Sequence, residues 1–197
     1  MITDSHINSL LREIAATNSE KAYRALYVGM YPGLLAFAHG ILKSHEDAEE
    51  VVSDLFINIW QKRTSLPLLD KPKLYFFMST RNGVFNKLKS NKRSATALFE
   101  SWSASVESVF FNPEELMFSK EFTAKIMESV NQLPPKCRVI FKLIKEDGLR
   151  YGEVAQLLDI SIKTVEGQMA IALRRLKHSL EFSNQFPEIH SLLVQKK

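Results

Sequence analysis

Cysteine is almost absent from this 197-residue sequence, in which Cys137 is the only one. A single cysteine excludes an internal disulfide and a zinc site built from cysteines. Glycine and proline are scarce, at seven residues each, and a shortage of these breakers favours long helices over a many-stranded sheet. We find no apolar run long enough to span a membrane and no signal-peptide pattern. These absences predict a soluble, cytoplasmic, all-α protein without membrane insertion.

The net charge of +4 is unevenly distributed along the chain. Residues 71–93 carry seven basic and no acidic side chains, and residues 136–197 carry 11 basic and seven acidic ones. The segments 1–70 and 94–135 are net acidic. Two positive segments separated by acidic ones predict two places that contact a polyanion. Two solvated lysine-rich surfaces would give the same charge pattern.

Apolar residues at helical spacing run through the first 93 residues. The strongest pattern lies in 46–62, where such residues fall on i, i+3, i+4 and i+7 positions. They are Ala48, Val51, Val52, Leu55, Phe56, Ile59 and Trp60. Residues 20–43 are predicted to form two helices broken near Pro32. Asp70 is expected to cap the next helix, with Pro72 in its first turn.

Residues 94–112 break the helical periodicity and are predicted to form a linker, rich in serine and aromatic residues. The stretch Asn112-Pro113-Glu114-Glu115 then has the pattern of a helix start. The sequence therefore predicts two helical domains joined by a linker. The N-terminal domain covers 1–93, the C-terminal domain covers 113–182, and a tail covers 183–197.

The C-terminal domain has the pattern of a helix-turn-helix. A short helix containing Ala155 leads into a tight turn at Asp159-Ile160, and Ser161 is placed to cap a longer helix. In this motif the second helix enters the major groove, and outward residues near its start meet base edges. An ordinary helical hairpin has the same spacing and stays open as an alternative on the pattern alone.

These segments resemble a known family, the bacterial sigma factors of the extracytoplasmic-function (ECF) type within the sigma-70 family. The segments similar to the family's second region are Asp47 to Glu50, Leu55 to Trp60 and Leu74 to Asn82. The segments similar to its fourth region are Leu133 to Val139, Asp147 to Ala155 and Ser161 to Val165. The resemblance extends over residues 20–93 and 113–180, in the family's order and spacing.

The resemblance implies a transcription initiation factor that brings RNA polymerase core to promoter DNA and assists promoter melting. It implies no enzymatic activity, and therefore no catalytic residue, metal or cofactor. An inhibitory anti-sigma protein is a further partner typical of the family, for which this sequence carries no signature.

The resemblance also assigns roles to three sets of residues. Polymerase core would bind the outward residues of the 46–62 helix: Glu49, Glu50, Ser53, Asp54, Ile57 and Asn58. The minus-ten element would be held as a single strand, through phosphate contacts, stacking and a flipped base, by Arg81, Asn82, Phe85, Lys87 and Lys89. The minus-thirty-five duplex would be read by Arg150, Lys163, Thr164, Glu166, Gly167, Ala170 and Arg174.

Three residues depart from the family's pattern. Ser53 stands where members often carry glutamine, Glu166 stands where many carry a basic residue, and Ile171 stands where they often carry another. A glutamate cannot bind phosphate, but its carboxylate can accept a hydrogen bond from a cytosine amino group. The resemblance therefore predicts a minus-thirty-five site in this chain, but it does not predict which bases that site prefers.

Two other classes of function fit parts of the sequence. A stand-alone DNA-binding regulator with an N-terminal sensing domain accounts for the helix-turn-helix, but leaves the basic 71–93 segment unexplained. A metal-dependent hydrolase would draw its ligands from His39, His45, Glu46, Asp47, Glu49, Glu50 and Asp54. No second ligand cluster follows it in the sequence, and such a charge run more often marks a solvated helix face.

Overall fold

The computed structural model describes residues 2–65, 69–90 and 128–181. The predicted linker, the helix start at 112–115 and the tail lie outside the described residues. Within the described ranges every regular element is helical, which confirms the all-α prediction. The helices are α1 (Asp4–Thr17), α2 (Glu20–Leu42), α3 (His45–Gln61), α4 (Pro72–Ser90), α5 (Pro135–Lys145), α6 (Tyr151–Leu158) and α7 (Ile162–Glu181). A short helical stretch at 128–131 precedes α5.

Helices α1 to α4 pack together around one apolar core. The predicted stripe of α3 faces inward: six of its seven residues are buried and Trp60 is partly buried. Phe56 from α3 lies against Tyr27 of α2 and Phe76 of α4, with ring centroids 4.7 and 6.0 Å away. The helical periodicity of this segment therefore did predict which side of α3 the domain buries.

The predicted break near Pro32 is wrong, because α2 runs as one helix from Glu20 to Leu42. Proline removes one backbone hydrogen bond, the one that would reach the carbonyl of Val28 four residues earlier. Pro32 and Val28 both lie on the exposed side of α2, where water can satisfy that carbonyl. Met30 and Leu34 on either side are buried in the core, so packing keeps the helix continuous.

The expectation that no segment reaches membrane-spanning length also needs correction. Helix α2 has 23 residues and a mean hydropathy of 1.4 in its most apolar window. By length and composition alone it could cross a membrane. The core helix of a globular protein passes the same test, and 44% of that window is buried inside the protein.

The N-terminus of α4 is capped from a distant part of the chain, and the prediction of Asp70 as its cap is wrong. The backbone N–H of Lys73 donates to Asp4 Oδ1 at 3.2 Å. The carbonyl of Lys71 accepts the first helical bond, from Tyr75 N at 3.0 Å. Asp70 lies one residue too early and is exposed. Pro72 does occupy the first turn, as predicted.

Replacing Asp4 with alanine is expected to lower the free energy of unfolding by about 1 kcal/mol, because an orphan amide of α4 loses its acceptor. The matched control is Asp70→Ala, which removes the same charge near the same helix end and is expected to change stability very little. Urea unfolding followed by circular dichroism measures both. Equal destabilisation by the two variants would contradict the long-range cap.

The C-terminal domain is a helix-turn-helix, as predicted. Asp159 adopts a left-handed conformation (φ 56°) that ends α6. Ser161 Oγ then accepts from Thr164 N at 3.0 Å and caps α7. Helix α7 packs against both α5 and α6. Its inward residues Val165, Met169, Ala172 and Leu176 are buried, which leaves the opposite side of α7 exposed.

Candidate functional site

The outer face of α3 is acidic, with one exposed apolar residue near its C-terminal end. Five of the six residues expected to bind polymerase core are exposed and Ser53 is partly exposed. Ile57 is 51% exposed among polar neighbours. Glu49 lies 3.2 Å from His45, and Asn58 donates to the carbonyl of Asp54 at 2.8 Å. These two bonds run along α3 itself, whereas Glu50 is paired with a lysine of α4. Apart from Glu50, this surface is open to a partner.

The outer face of α4 brings together four of the five residues expected to hold the minus-ten strand. The guanidinium of Arg81 lies over the ring of Phe85, 4.9 Å from its centroid. Asn82 and Lys89 are exposed beside them. A stacked cation and ring next to an amide and an ammonium can hold an unpaired base and its phosphate.

Lys87 does not lie with those four residues. It follows Asn82 by five positions, which turns it about 140° around the helix. Its ammonium contacts the carboxylate of Glu50 and lies 3.4 Å from that of Asp47, both on α3. The hydrogen bond to Glu50 raises the pKa of Lys87. Lys87 therefore links α4 to α3, and the sequence alone did not reveal this pairing.

Asn86 was missed as a candidate by the sequence reasoning. It is exposed on α4 one turn after Asn82, so both amides lie on the outer face. The i, i+4 spacing of two asparagines in a basic helix was the signal available in the sequence. Tyr75, 37% exposed, lies about two turns earlier on the same side and extends the aromatic part of this face.

Close packing holds α4 against α3. At Gly83, directly after Asn82, a Cβ atom would lie 2.8 Å from Val51 Cγ1, so only glycine allows this approach. Val84 and Leu88 are fully buried beneath it. The outer faces of α3 and α4 consequently belong to one rigid unit, and binding at one of them fixes the position of the other.

The outer face of α7 is exposed over several turns. It presents the expected residues Lys163, Thr164, Glu166, Gly167, Ala170 and Arg174. Packing against the described residues does not require a glycine at position 167, since a Cβ there would lie more than 4 Å from all of them. Glycine in a helix costs about 1 kcal/mol relative to alanine. A surface glycine beside Ala170 does allow close approach by another molecule.

Thr164 and Arg150 have local roles in capping as well. The hydroxyls of Thr164 and Ser161 lie 2.8 Å apart at the start of α7. Arg150 N donates to the carboxylate of Glu153 at 2.8 Å and so begins α6 rather than α7. Its side chain is exposed, but it does not belong to the outer face of α7.

The cysteine and the acidic residues show no arrangement for catalysis in the part of the chain that the structure describes. Cys137 Sγ donates to Gln168 Oε1 at 2.9 Å, and burial raises the pKa of its thiol, so it stays protonated. Among the described residues no group of three or more histidine, cysteine or acidic side chains could hold a metal ion. The metal-dependent hydrolase therefore gains no support from this geometry.

Two family models match the chain. The model for sigma-70 region 2 matches residues 26–94, and the model for sigma-70 region 4 matches residues 123–176. The first match contains α3 and α4. The second contains α5, α6 and the part of α7 up to residue 176, with the exposed residues described above. The two regions thus occur in the predicted order.

Curated relatives match over most of the chain. An ECF RNA polymerase sigma factor, SigK of Mycobacterium sp. (strain JLS), is 20% identical over 90% of this chain and 92% of its own length. RNA polymerase sigma factor NccH of Alcaligenes xylosoxydans xylosoxydans is 28% identical over 92% of this chain and 99% of its own. ECF RNA polymerase sigma-E factor of Escherichia coli (strain K12) is 31% identical over 42% of each chain.

A solved structure shares the fold. The match is the sigma factor RpoE, in a co-crystal structure with the anti-sigma factor NepR from Bartonella quintana. The TM-score is 0.50 at 23% sequence identity, over 82% of this chain and 98% of that chain.

Proposed function

Because the chain belongs to the sigma-70 family, as a sigma factor of the ECF type that directs RNA polymerase to promoters, we propose how its parts divide that work. The N-terminal domain, residues 1–93, binds polymerase core and the melted minus-ten strand. The C-terminal domain, residues 113–182, binds the minus-thirty-five duplex. Residues 94–112 connect the two domains, and residues 183–197 form a tail.

The observation that carries this proposal is the joining of the outer faces of α3 and α4 in one rigid unit. An exposed isoleucine on an acidic surface suits a protein partner, and the stacked Arg81 and Phe85 suit an unpaired base. The Gly83–Val51 contact holds these two surfaces together. A stand-alone DNA-binding regulator needs the outer face of α7 but neither of the other two.

The proposed mechanism is binding without catalysis. Phosphates are neutralised by Arg81 and Lys89, and a base that leaves the duplex stacks near Phe85 and hydrogen-bonds to the Asn82 amide. Strand separation is driven by these contacts together with duplex binding by α7. No nucleotide is hydrolysed by this chain, and the protein acts with RNA polymerase in the cell interior.

A protein inhibitor is part of the same proposal. The RpoE structure that shares this fold contains an anti-sigma factor. An inhibitor that covers the outer face of α3 or of α4 would prevent the proposed binding to polymerase or DNA. We therefore extend the proposal to an anti-sigma partner for this chain.

Promoter-directed transcription with purified core polymerase and genomic promoter fragments tests the proposal. Asn82→Ala is expected to reduce specific transcripts roughly tenfold, because one base contact is worth about 1–3 kcal/mol. Binding to core should not change.

The matched variant is Lys87→Ala, on the same helix but turned toward α3, which is expected to have a clearly smaller effect. A larger loss with Lys87→Ala than with Asn82→Ala would reverse the assignment of these two residues. If the intact chain binds duplex DNA but never binds core, the stand-alone regulator is the correct function.

A further inference from the structure

The outer face of α7 is nearly neutral over its first three turns and basic after them. Residues 161–173 contain only two charged side chains, Lys163 and Glu166, and both are exposed. Arg174 and Arg175 follow and are exposed as well. About 17 Å of helix separates Lys163 from Arg174. Because cations neutralise phosphates, these two ends of the face suit the DNA backbone, and the stretch between them is left for base edges.

The carboxylate of Glu166 limits which base can lie against it. Glu166 is exposed one turn after Lys163. A carboxylate accepts hydrogen bonds and donates none. In the major groove, guanine and thymine present acceptors, adenine presents a donor beside an acceptor, and cytosine presents its amino donor alone. Cytosine is therefore the base that this carboxylate can contact without facing an acceptor on the same base.

An apolar pair, Ala170 and Ile171, lies one turn further along the exposed side of α7. Ala170 follows Glu166 by four positions, and Ile171 follows Gly167 by four. Ala170 is exposed and Ile171 is 38% exposed. The methyl group of thymine is the apolar group that bases present in the major groove, whereas a polar base edge placed against an apolar surface loses its hydrogen bonds to water. The apolar pair therefore favours thymine.

The spacing along α7 limits how far apart the two contacted bases lie. Glu166 and Ala170 are separated by about 6 Å along the helix axis, and Ile171 adds about 1.5 Å. Successive base pairs are about 3.4 Å apart along the duplex. Bases that contact Glu166 and the apolar pair consequently lie within about two base pairs of each other.

We propose that α7 reads a cytosine through Glu166 and, within about two base pairs of it, a thymine through Ala170 and Ile171. Lys163 and Arg174 bind phosphates beside these bases. The inference rests on the proposed function, because it names the base chemistry recognised by the surface assigned there to the minus-thirty-five duplex. Specificity comes from one carboxylate acceptor and one apolar contact, without the arginine-to-guanine contact that is commonest in DNA recognition.

Selection from a library of random duplexes tests the base preference. The full chain is mixed with core polymerase, and core polymerase alone is the control. A cytosine and a thymine within about two base pairs of each other are expected to be enriched. Glu166→Gln is expected to change the preferred base at the first position from cytosine to adenine, because an amide pairs with N6 and N7 of adenine. The ratio of affinities for these two bases should change about tenfold, with the thymine preference unchanged.

A modified base tests the apolar contact without any change to the protein. Replacing the selected thymine with deoxyuridine removes only the methyl group and is expected to weaken binding about fourfold. In the double variant Ala170→Ser, Ile171→Ser the same replacement should matter clearly less, because most of the apolar surface is gone. The matched control is Arg174→Ala, which should weaken binding to all duplexes alike and leave both base preferences intact.

Two results would overturn the inference. One is an unchanged base preference in Glu166→Gln, and the other is equal affinity of the intact chain for the thymine and deoxyuridine duplexes. Failure of the proposed function gives a different result. In that case the chain selects the same bases with or without core polymerase, and promoters that carry them yield no transcripts.

Discussion

Ile57→Lys is expected to weaken binding to RNA polymerase core about 30-fold, equivalent to about 2 kcal/mol. Ile57 is the one large apolar side chain on the outer face of α3 that the structure shows more than half exposed. Its neighbour Asp54 favours a basic partner surface. A lysine at this position loses the apolar contact and adds a charge that such a partner repels.

The matched control for Ile57→Lys is Val28→Lys, because Val28 is 64% exposed on α2, outside the outer face of α3. Both variants are expected to fold normally, since exposed substitutions usually change stability by less than about 0.5 kcal/mol. Fluorescence titration with core polymerase measures the affinity. Equal affinity for the two variants would show that core does not dock on the outer face of α3.

Gly167→Leu is expected to reduce binding to the minus-thirty-five duplex at least tenfold, a loss of about 1.4 kcal/mol, while making the domain more stable. The structure has open space at Gly167, where a Cβ atom would meet no other part of the described protein within 4 Å. Leucine is a better helix former than glycine by about 1 kcal/mol. In the major groove, however, a branched side chain prevents close approach of α7 to the base edges.

Gly167→Ala separates the two effects. It gives the same gain in helix stability with a side chain of one carbon, so DNA binding should fall much less. Denaturant unfolding and duplex binding are measured on both variants. If Gly167→Leu binds duplex as well as the intact chain does, α7 does not approach DNA at this position.

Helix α3 shows what periodicity predicts well. Its apolar residues repeat every three to four positions, so the buried side follows from the sequence, and the outward positions follow by exclusion. The cap at Ser161 was predicted for a similar reason, because it joins residues three positions apart. Family membership was also recognised from local segments, and the matches to both regions confirm it.

Errors arose where a local rule competed with packing. Pro32 was expected to break a helix, but burial of Met30 and Leu34 around an exposed proline keeps α2 continuous. Asp70 was expected to cap α4, but Asp4 supplies the acceptor from 69 positions away. In both cases the local preference of a residue, proline for breaking a helix or aspartate for capping the next one, was overridden by contacts with residues far away in the chain.

Apart from the continuity of α2 at Pro32, the sequence by itself determined the helices, their buried sides, the helix-turn-helix and the family, because each depends on residues within a few turns of one another. Only the tertiary structure decided three further features: the cap from Asp4, the pairing of Lys87 with Glu50, and the docking of Asp147 beside Gly33. These join residues 37 or more positions apart. Such pairs form only after the helices pack. No periodic pattern in the sequence indicates which side chains then come into contact.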